Sequence, residues 1–408
     1  MLHPAIERAW EWIWERFFCA KTELFYDYLV SDRPDAAVFH LPSPEEIALQ
    51  VPNACGWGTG MEDSMLSAGS MLDAVVARHA VTGEESMREA AAKIFRGMMR
   101  CAGAGRDGFL PRSVSPADGV SHYIESSRDQ YTHWVYGAWR LYFSPLSDEA
   151  QREDIRRVLV GFAERAERNV REETGWDFLR EDGGRTRCTK MWGELGAHEY
   201  LRLPMIYAAA WRITGDAHWK EMYLGLRAEA IEKTGGLKEK AWWRSYAALQ
   251  LQYSLRLLYE AEEEDIFREK YRSMMRSIAD LYRKDAPTAA EEIGSGRYDR
   301  SLLYYEYRPW SEVRPMYRGV LDGYALFNPA QSELPENEGF YKVRDVGETV
   351  SILALAPDMK VEDEQLRALI RVAEVIDYDR IGNYSPMLLA CGYYLAMENR
   401  LKAGQKKT

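Results

Sequence analysis

The chain has 408 residues, 46% of them hydrophobic and 29% charged, with a formal net charge of −11. That composition belongs to a folded globular chain, and the acidic balance excludes the basic surface that a nucleic-acid or anionic-membrane partner needs. The five cysteines contain no CxxC pair and the seven histidines no HxH or HExxH cluster. This excludes a disulfide frame and predicts neither a metal site nor a cofactor.

The opening MLHPAIERAWEWIWERFF is charged every few positions, unlike a signal peptide. Nowhere does an apolar run reach the roughly 18 residues of a membrane span. A soluble, cytoplasmic protein is expected.

Taken in chain order, 3.6-residue periodicity predicts helices of two alternating kinds. Amphipathic helices with charged faces are expected over about 4–30, 84–103, 148–173, 216–234, 263–284 and 363–377. Helices rich in Ala, Leu, Tyr and Trp on nearly all sides are expected over about 61–82, 128–143, 199–214, 241–260, 340–356 and 384–401. The pairing repeats. ARHAVTGEESMREAAAKIFRGM, from Ala77, and AAWRITGDAHWKEMYLGLRAEA, from Ala209, both close a helix on Thr-Gly and open another after an acidic residue. Gly83 and Gly215 are natural left-handed helix ends.

Six helices of each kind in strict alternation predict an all-α fold, an (α/α)6 barrel (toroid) of six inner and six outer helices, with no strand run to interrupt it. Residues 1–408 are expected to form one barrel domain with a long insert loop at about 285–339, including an extra helix at 316–327, and a flexible tail at 402–408.

The loops preceding the inner helices must all emerge at one end of such a barrel. They include GWGTGMEDS (56–64), SHYIESSRDQYTHW (121–134), RCTKMWGELGAHEY (187–200), KAWWRS (240–245), YYEYRPWSEVRPMYR (304–318), GFYKVRDVGE (339–348) and DYDRIGNYS (377–385). Aromatic and ionisable residues concentrate there, whereas the opposite connections are short and plain. Rings with a few convergent polar groups make a ligand pocket. Candidate binding residues are Trp57, Glu62, Arg128, Tyr131, His133, Trp134, Trp192, His198, Trp243, Arg244, Tyr305, Arg308, Trp310 and Arg344. For any single ring, plugging the barrel mouth is the plainer role.

Three carboxylates are candidates for acid–base work. Asp129 should sit in the first turn of its helix behind a cap from Ser126 or Ser127, where the helix dipole would lower its pKa. Asp63 follows Glu62 in GMEDS, and either also suits a helix start. Glu194 shares a helix face with His198 if their segment is helical. The rim arginines would pair with a substrate carboxylate, or serve as surface ion pairs.

This layout, with the GWGTGMEDS and SRDQYTHW segments, resembles the six-hairpin glycosidase superfamily over nearly the whole chain, and within it is similar to the unsaturated glucuronyl and rhamnogalacturonyl hydrolases. The resemblance implies an Asp at the inner-helix mouth that protonates the sugar and activates water, a role that falls on Asp129 with Asp63 as the second carboxylate. The expected function is a glycoside hydrolase acting on short, uronic-acid-containing oligosaccharides, as a monomer or small homo-oligomer. Polysaccharide lyases and sugar epimerases share such barrels, and His133, His198, Tyr131 and Tyr200 keep those chemistries open. A non-catalytic scaffold that binds a glycan or peptide is the third expectation.

Overall fold

The structure, a computed structural model, describes residues 2–29, 41–51, 53–56, 59–186, 188–235, 244–296 and 336–405, the side chains of 336–341 and 380 excepted. Trp57, Trp243, Tyr305, Arg308 and Trp310, and the helix expected at 316–327, lie outside the described residues.

Helix α1 (Pro4–Arg16) leads into a two-stranded antiparallel hairpin, β1 (Phe18–Cys19) and β2 (Leu24–Phe25), then a short helix α2 (Pro44–Ala48). The helix pairs follow: α3 (Ser64–Thr82) and α4 (Ser86–Ala104), α5 (Arg128–Tyr142) and α6 (Glu149–Asn169), α7 (Arg202–Thr214) and α8 (Ala217–Thr234), α9 (Ser245–Ala261) and α10 (Asp265–Tyr282). After α11 (Asp285–Gly294) come α12 (Glu336–Leu355), α13 (Asp363–Val375) and α14 (Ser385–Gln405).

Six of these close a ring: α3 packs on α5, α5 on α7, α7 on α9, α9 on α12, α12 on α14, and α14 back on α3. Around it α4, α6, α8, α10, α13 and α1 each lie against one or two inner helices, and α11 fills the space between α12 and α13. The protein is an all-α toroid of inner and outer helices. Sequence explains the two layers directly. In α3 every residue from Ser64 to Arg78 is buried, whereas α4 buries only a stripe at Met87, Ala91, Ile94, Phe95, Gly97, Met98 and Cys101. Helices α3 and α7 end on Gly83 and Gly215, both in the left-handed conformation (φ 69° and 76°).

The first expected helix, 4–30, stops at Arg16 because the chain turns into the hairpin, where Glu23 takes a positive φ of 58°. Glu23 is held there by Arg96, whose Nε and Nη2 donate to its carboxylate at 2.9 and 2.6 Å. The expected insert loop begins instead with helix α11, and the tail expected to be flexible is helical through Gln405.

One contact sets the spacing of the first two inner helices. A Cβ at Gly69 on α3 would lie 2.2 Å from the backbone oxygen of His133 on α5, and one at Gly137 would lie 2.9 Å from the Cα of Gly69. The two backbones touch, and only glycine permits that approach. Among the described residues no helix is long and apolar enough to cross a membrane.

Candidate active site

The N-terminal ends of the inner helices gather at one mouth. At the head of α3, Asp63 occupies the N-cap position, where an aspartate ordinarily accepts a backbone N–H of the first turn. Its carboxylate makes no such bond. It is turned sideways, receiving Gln130 Nε2 at 2.9 Å and the Tyr384 hydroxyl at 3.4 Å, with Arg112 Nη1 at 3.7 Å. The chain is held in this pose from behind. Asp27, fully buried just after the hairpin, accepts the consecutive N–H groups of Glu62 and Asp63 through Oδ2 at 2.8 and 3.0 Å. Its other carboxylate oxygen is buried without a partner among the described residues. Burial, then the charges of Asp63 and Glu62, push the Asp27 carboxyl well above the ordinary carboxylate range.

On the neighbouring helix α5, Asp129 lies in the first turn, and Ser127 holds the N-cap position without a side-chain bond. Asp129 Oδ1 accepts Nη1 of Arg202, from the start of α7, at 2.6 Å. Arg202 is itself buried and continues through Nη2 to Gln250 Oε1 of α9, also at 2.6 Å. Between the two acids, Gln130 ties α5 to α3: Nε2 also donates to the Glu62 carbonyl and Oε1 accepts the Leu66 N–H.

The two carboxyls are driven apart electrostatically. At Asp63 burial raises the pKa, Arg112 and Arg344 oppose it, and the charge of Asp129 adds to the rise; the net result is upward. At Asp129 burial also pushes upward, but it is outweighed by the bonded Arg202, with Arg128 and His133 assisting, and the carboxyl is held well below its usual range. Solvent still reaches both side chains, 24% exposed at Asp63 and 34% at Asp129, although their neighbours Arg112, Gln130, Arg202 and Tyr384 are buried. They sit in a recess.

Two histidines lie beneath. His133, one turn below Asp129, donates Nδ1–H to the Asp129 carbonyl at 2.8 Å and meets the Tyr253 ring edge-on; burial, foremost, lowers its pKa to about 4. His198 is likewise lowered to about 4, by burial and then by Arg202. Both are neutral at pH 7. On the far wall, Arg344 of α12 donates to Glu348 Oε1 at 2.6 Å and the Tyr384 hydroxyl at 3.0 Å, with its guanidinium over the Tyr246 ring. Ser245 Oγ lies 2.5 Å from both Asp345 and Glu348, two carboxyls raised chiefly by burial.

Several residues expected at the mouth are elsewhere. Tyr131 and Trp134 face the space between the two helix layers. The Tyr131 hydroxyl accepts Leu110 N–H at 2.9 Å, Trp134 donates to the Met98 carbonyl at 3.3 Å, and both rings pack on Phe162. Glu62 is buried, accepting the Tyr28 hydroxyl. Trp192 is buried edge-on against Tyr200. Glu194 lies exposed in a bend rather than on a helix, so no helical face joins it to His198, and among the described residues it forms no ion pair. The acid of that segment that is engaged is Glu199, paired with Arg128. Arg128 also donates to the Lys190 carbonyl at 2.8 Å, and Arg244 is exposed at the N-cap of α9.

Asp27, Arg112, Gln130, Arg202, Gln250 and Tyr384 were not singled out from sequence. Of these, Gln130 adjoins Asp129, Arg202 heads an inner helix and Tyr384 belongs to a rim loop, so each carried a positional signal. Among the described residues no group of three or more His, Cys, Asp or Glu is placed to hold a metal ion.

No protein-family model and no curated protein matches the chain. Three solved structures superpose on nearly all of it. The GH76A alpha-1,6-mannanase from Salegentibacter sp. HEL1_6 does so over 98% of both chains, at 12% identity and a TM-score of 0.45. An inactive variant of that enzyme in complex with alpha-1,6-mannotriose covers 97% of this chain and 98% of its own, at 11% identity and a TM-score of 0.45. The Lin0763 protein from Listeria innocua covers 98% of this chain and 97% of its own, at 10% identity and a TM-score of 0.48. The ring of helices stands on the chain's own packing, without support from these likenesses.

Proposed function

We propose that the chain is a glycoside hydrolase in which Asp63 donates the proton to the leaving oxygen and Asp129 acts as the ionised partner. Glycosidic cleavage asks for one protonated and one ionised carboxyl flanking the bond, and a pair whose surroundings separate their pKa values meets that need. The observation that carries the reading is Asp63: an N-cap aspartate that caps nothing, turned into a solvent-reached recess beside a carboxylate held ionised by Arg202. This reverses the roles expected from the resemblance, in which Asp129 was the proton donor. The bonded guanidinium makes Asp129 the weaker candidate for carrying a proton.

The substrate favoured is a short neutral oligosaccharide. Arg344 spends Nε and Nη1 on Glu348 and Tyr384, and Arg128 spends its fork on Glu199 and the Lys190 carbonyl, which supports hydroxyl recognition over capture of a uronate. A lyase would need a basic tyrosine. Burial, foremost, raises Tyr384 well above its ordinary value, which disfavours it in that role.

The test is hydrolysis of a panel of neutral and uronyl aryl glycosides and oligosaccharides, followed as reducing ends. Wild-type turnover on neutral substrates, with loss in both Asp63→Asn and Asp129→Asn, is expected. Full activity in Asp63→Asn would end the proposal.

A further inference from the structure

The other end of the toroid carries a recess that the proposed chemistry does not use. It opens where α5, α9, α12 and α14 finish, about 16 Å along α5 from Asp129, given a rise of about 1.5 Å over each residue to Arg140. Its volume is about 710 Å³. A smaller hollow of about 420 Å³ adjoins it across a shared wall of Arg140, Glu398 and Lys402.

The charges of this recess fall into closed pairs. Arg140 Nε donates to Asp73 Oδ1 at 2.6 Å and its Nη2 to Glu398 Oε2 at 2.7 Å. Lys402 takes the other Glu398 oxygen at 2.7 Å. Arg256 donates to Glu260 Oε1 at 2.6 Å and to the Leu355 carbonyl at 3.1 Å, while Trp139 supplies Glu260 Oε2 at 2.8 Å. Asp358, on the lip, pairs with Arg272. Both oxygens of Glu260 and of Glu398 are therefore already occupied by protein donors.

What remains on the walls of the recess is mainly donors, although behind Arg140 the Oδ2 of Asp73 is buried without a partner among the described residues. Arg140 Nη1, Arg256 Nη2 and the hydroxyls of Tyr136 and Tyr259 donate to no protein atom among the described residues, although all four side chains line the larger recess. Lys360, also lining it, is exposed and without an ion pair among the described residues. Arg140, Arg256 and Lys402 balance Asp73, Glu260 and Glu398, and Arg272 balances Asp358, so among the described residues lining the recess Lys360 is the one positive charge left over. Carbonyl ends of inner helices converge here and disfavour an anion, but Arg256 already covers one of them at Leu355. The other walls, Leu355, Pro357, Met359 and Leu395 with the two phenol rings, are apolar.

We propose that this recess is a second binding site, for a small organic monoanion: a carboxylate taken between Arg140 and Arg256, carried on an uncharged, largely apolar ring body. Planar guanidinium donors suit a carboxylate, and a concave site of this size suits a small molecule. The assignment is independent of any chemistry at the mouth.

The experiment is calorimetric titration of the full chain with benzoate, with benzyl alcohol as the uncharged counterpart and inorganic phosphate as a non-planar anion. Benzoate should bind saturably at one site, at least tenfold tighter than either control, and more weakly as salt rises. Arg256→Gln should weaken benzoate at least tenfold. Lys360→Glu, an exposed substitution that leaves the fold alone, should weaken it several-fold, and Asp63→Asn should leave it unchanged. The proposal is overturned if benzoate does not saturate, if benzyl alcohol or phosphate binds as well, if Lys360→Glu has no effect, or if Asp63→Asn abolishes binding.

Discussion

The two ends of the inner ring use the same residue types to opposite ends. At the C-terminal end Asp73 is wholly buried and clasped by Arg140, which also holds Glu398, and the charges cancel within a closed network. At the N-terminal mouth Asp63 has only partial partners, a 3.7 Å cation and two weaker donors, and keeps contact with solvent. At one end Asp73 is sealed from water; at the other Asp63 and Asp129 keep contact with it. The distinction lies in burial and in the distance to the nearest guanidinium, 2.6 Å at Asp73 and 3.7 Å at Asp63, rather than in composition.

Substitution should separate the two ends most sharply. Asp63→Asn and Asp129→Asn are expected to lower kcat/KM on the order of 10²–10⁴-fold, the usual worth of positioned acid–base catalysis. Melting temperature should be nearly unchanged in Asp63→Asn and lowered in Asp129→Asn, which also breaks the pair with buried Arg202. Asp73→Ala should do the reverse. Breaking this buried pair, which leaves the Arg140 guanidinium only Glu398, should cost up to about 3–5 kcal/mol, read by urea unfolding, with kcat retained per folded molecule. If the Asp63 and Asp73 variants behave alike, the contrast fails.

Gly69→Ala probes the link between the ends. A methyl group meeting the His133 carbonyl must push α3 from α5, at about 1–3 kcal/mol for overpacking. The displacement should reach Asp63 and Asp129, so activity is expected to fall along with melting temperature. Loss of stability with unchanged kcat/KM would show that the mouth is positioned by its loops instead.

Asp27 offers a finer test. Asp27→Ala strands the N–H groups of Glu62 and Asp63 and should cost about 1–3 kcal/mol for each left unpaired, whereas Asp27→Asn keeps an acceptor in place. The folded pKa of Asp27 is raised, so the folded state binds the extra proton. Its contribution is complete below the unfolded value of about 3.9 and is lost as pH rises through the folded value. Unfolding free energies of Asp27→Asn should therefore decline less with rising pH than those of the wild type.

The smallest expected effect is in the pH profile. Asp129, depressed, stays ionised well below pH 3.8, and Asp63, raised, must keep its proton. Activity should hold on the acid side and fall as pH rises through the Asp63 value. An alkaline optimum would contradict the assigned roles.

Helix alternation was legible because burial on all sides and burial on one stripe leave different periodicities, and the expected inner helix 128–143 differs from α5 by one residue. The acids at the starts of α3 and α5 were legible as helix-start residues facing a rim. Their partners were not. Arg112, Arg202 and Tyr384 reach Asp63 or Asp129 from 49, 73 and 321 residues away in the numbering, and no local pattern encodes such meetings. Tyr131 and Trp134 went astray for a related reason: within one turn of an inner helix, one face looks into the bore and the next looks outward to Phe162, and the composition of the turn does not say which.

Closure of the ring has a kinetic side. Helix α14 joins α3 and α1, and the Tyr394 hydroxyl meets Glu7 across 387 residues while also accepting Arg78. Each helix pair can form early from nearby chain, but the seam must wait for the most distant partners, whose search entropy slows the last step. Until that seam shuts, the apolar flanks of α3 and α14 stay open to water and to other chains, so this joint is where nascent molecules are most prone to stick together.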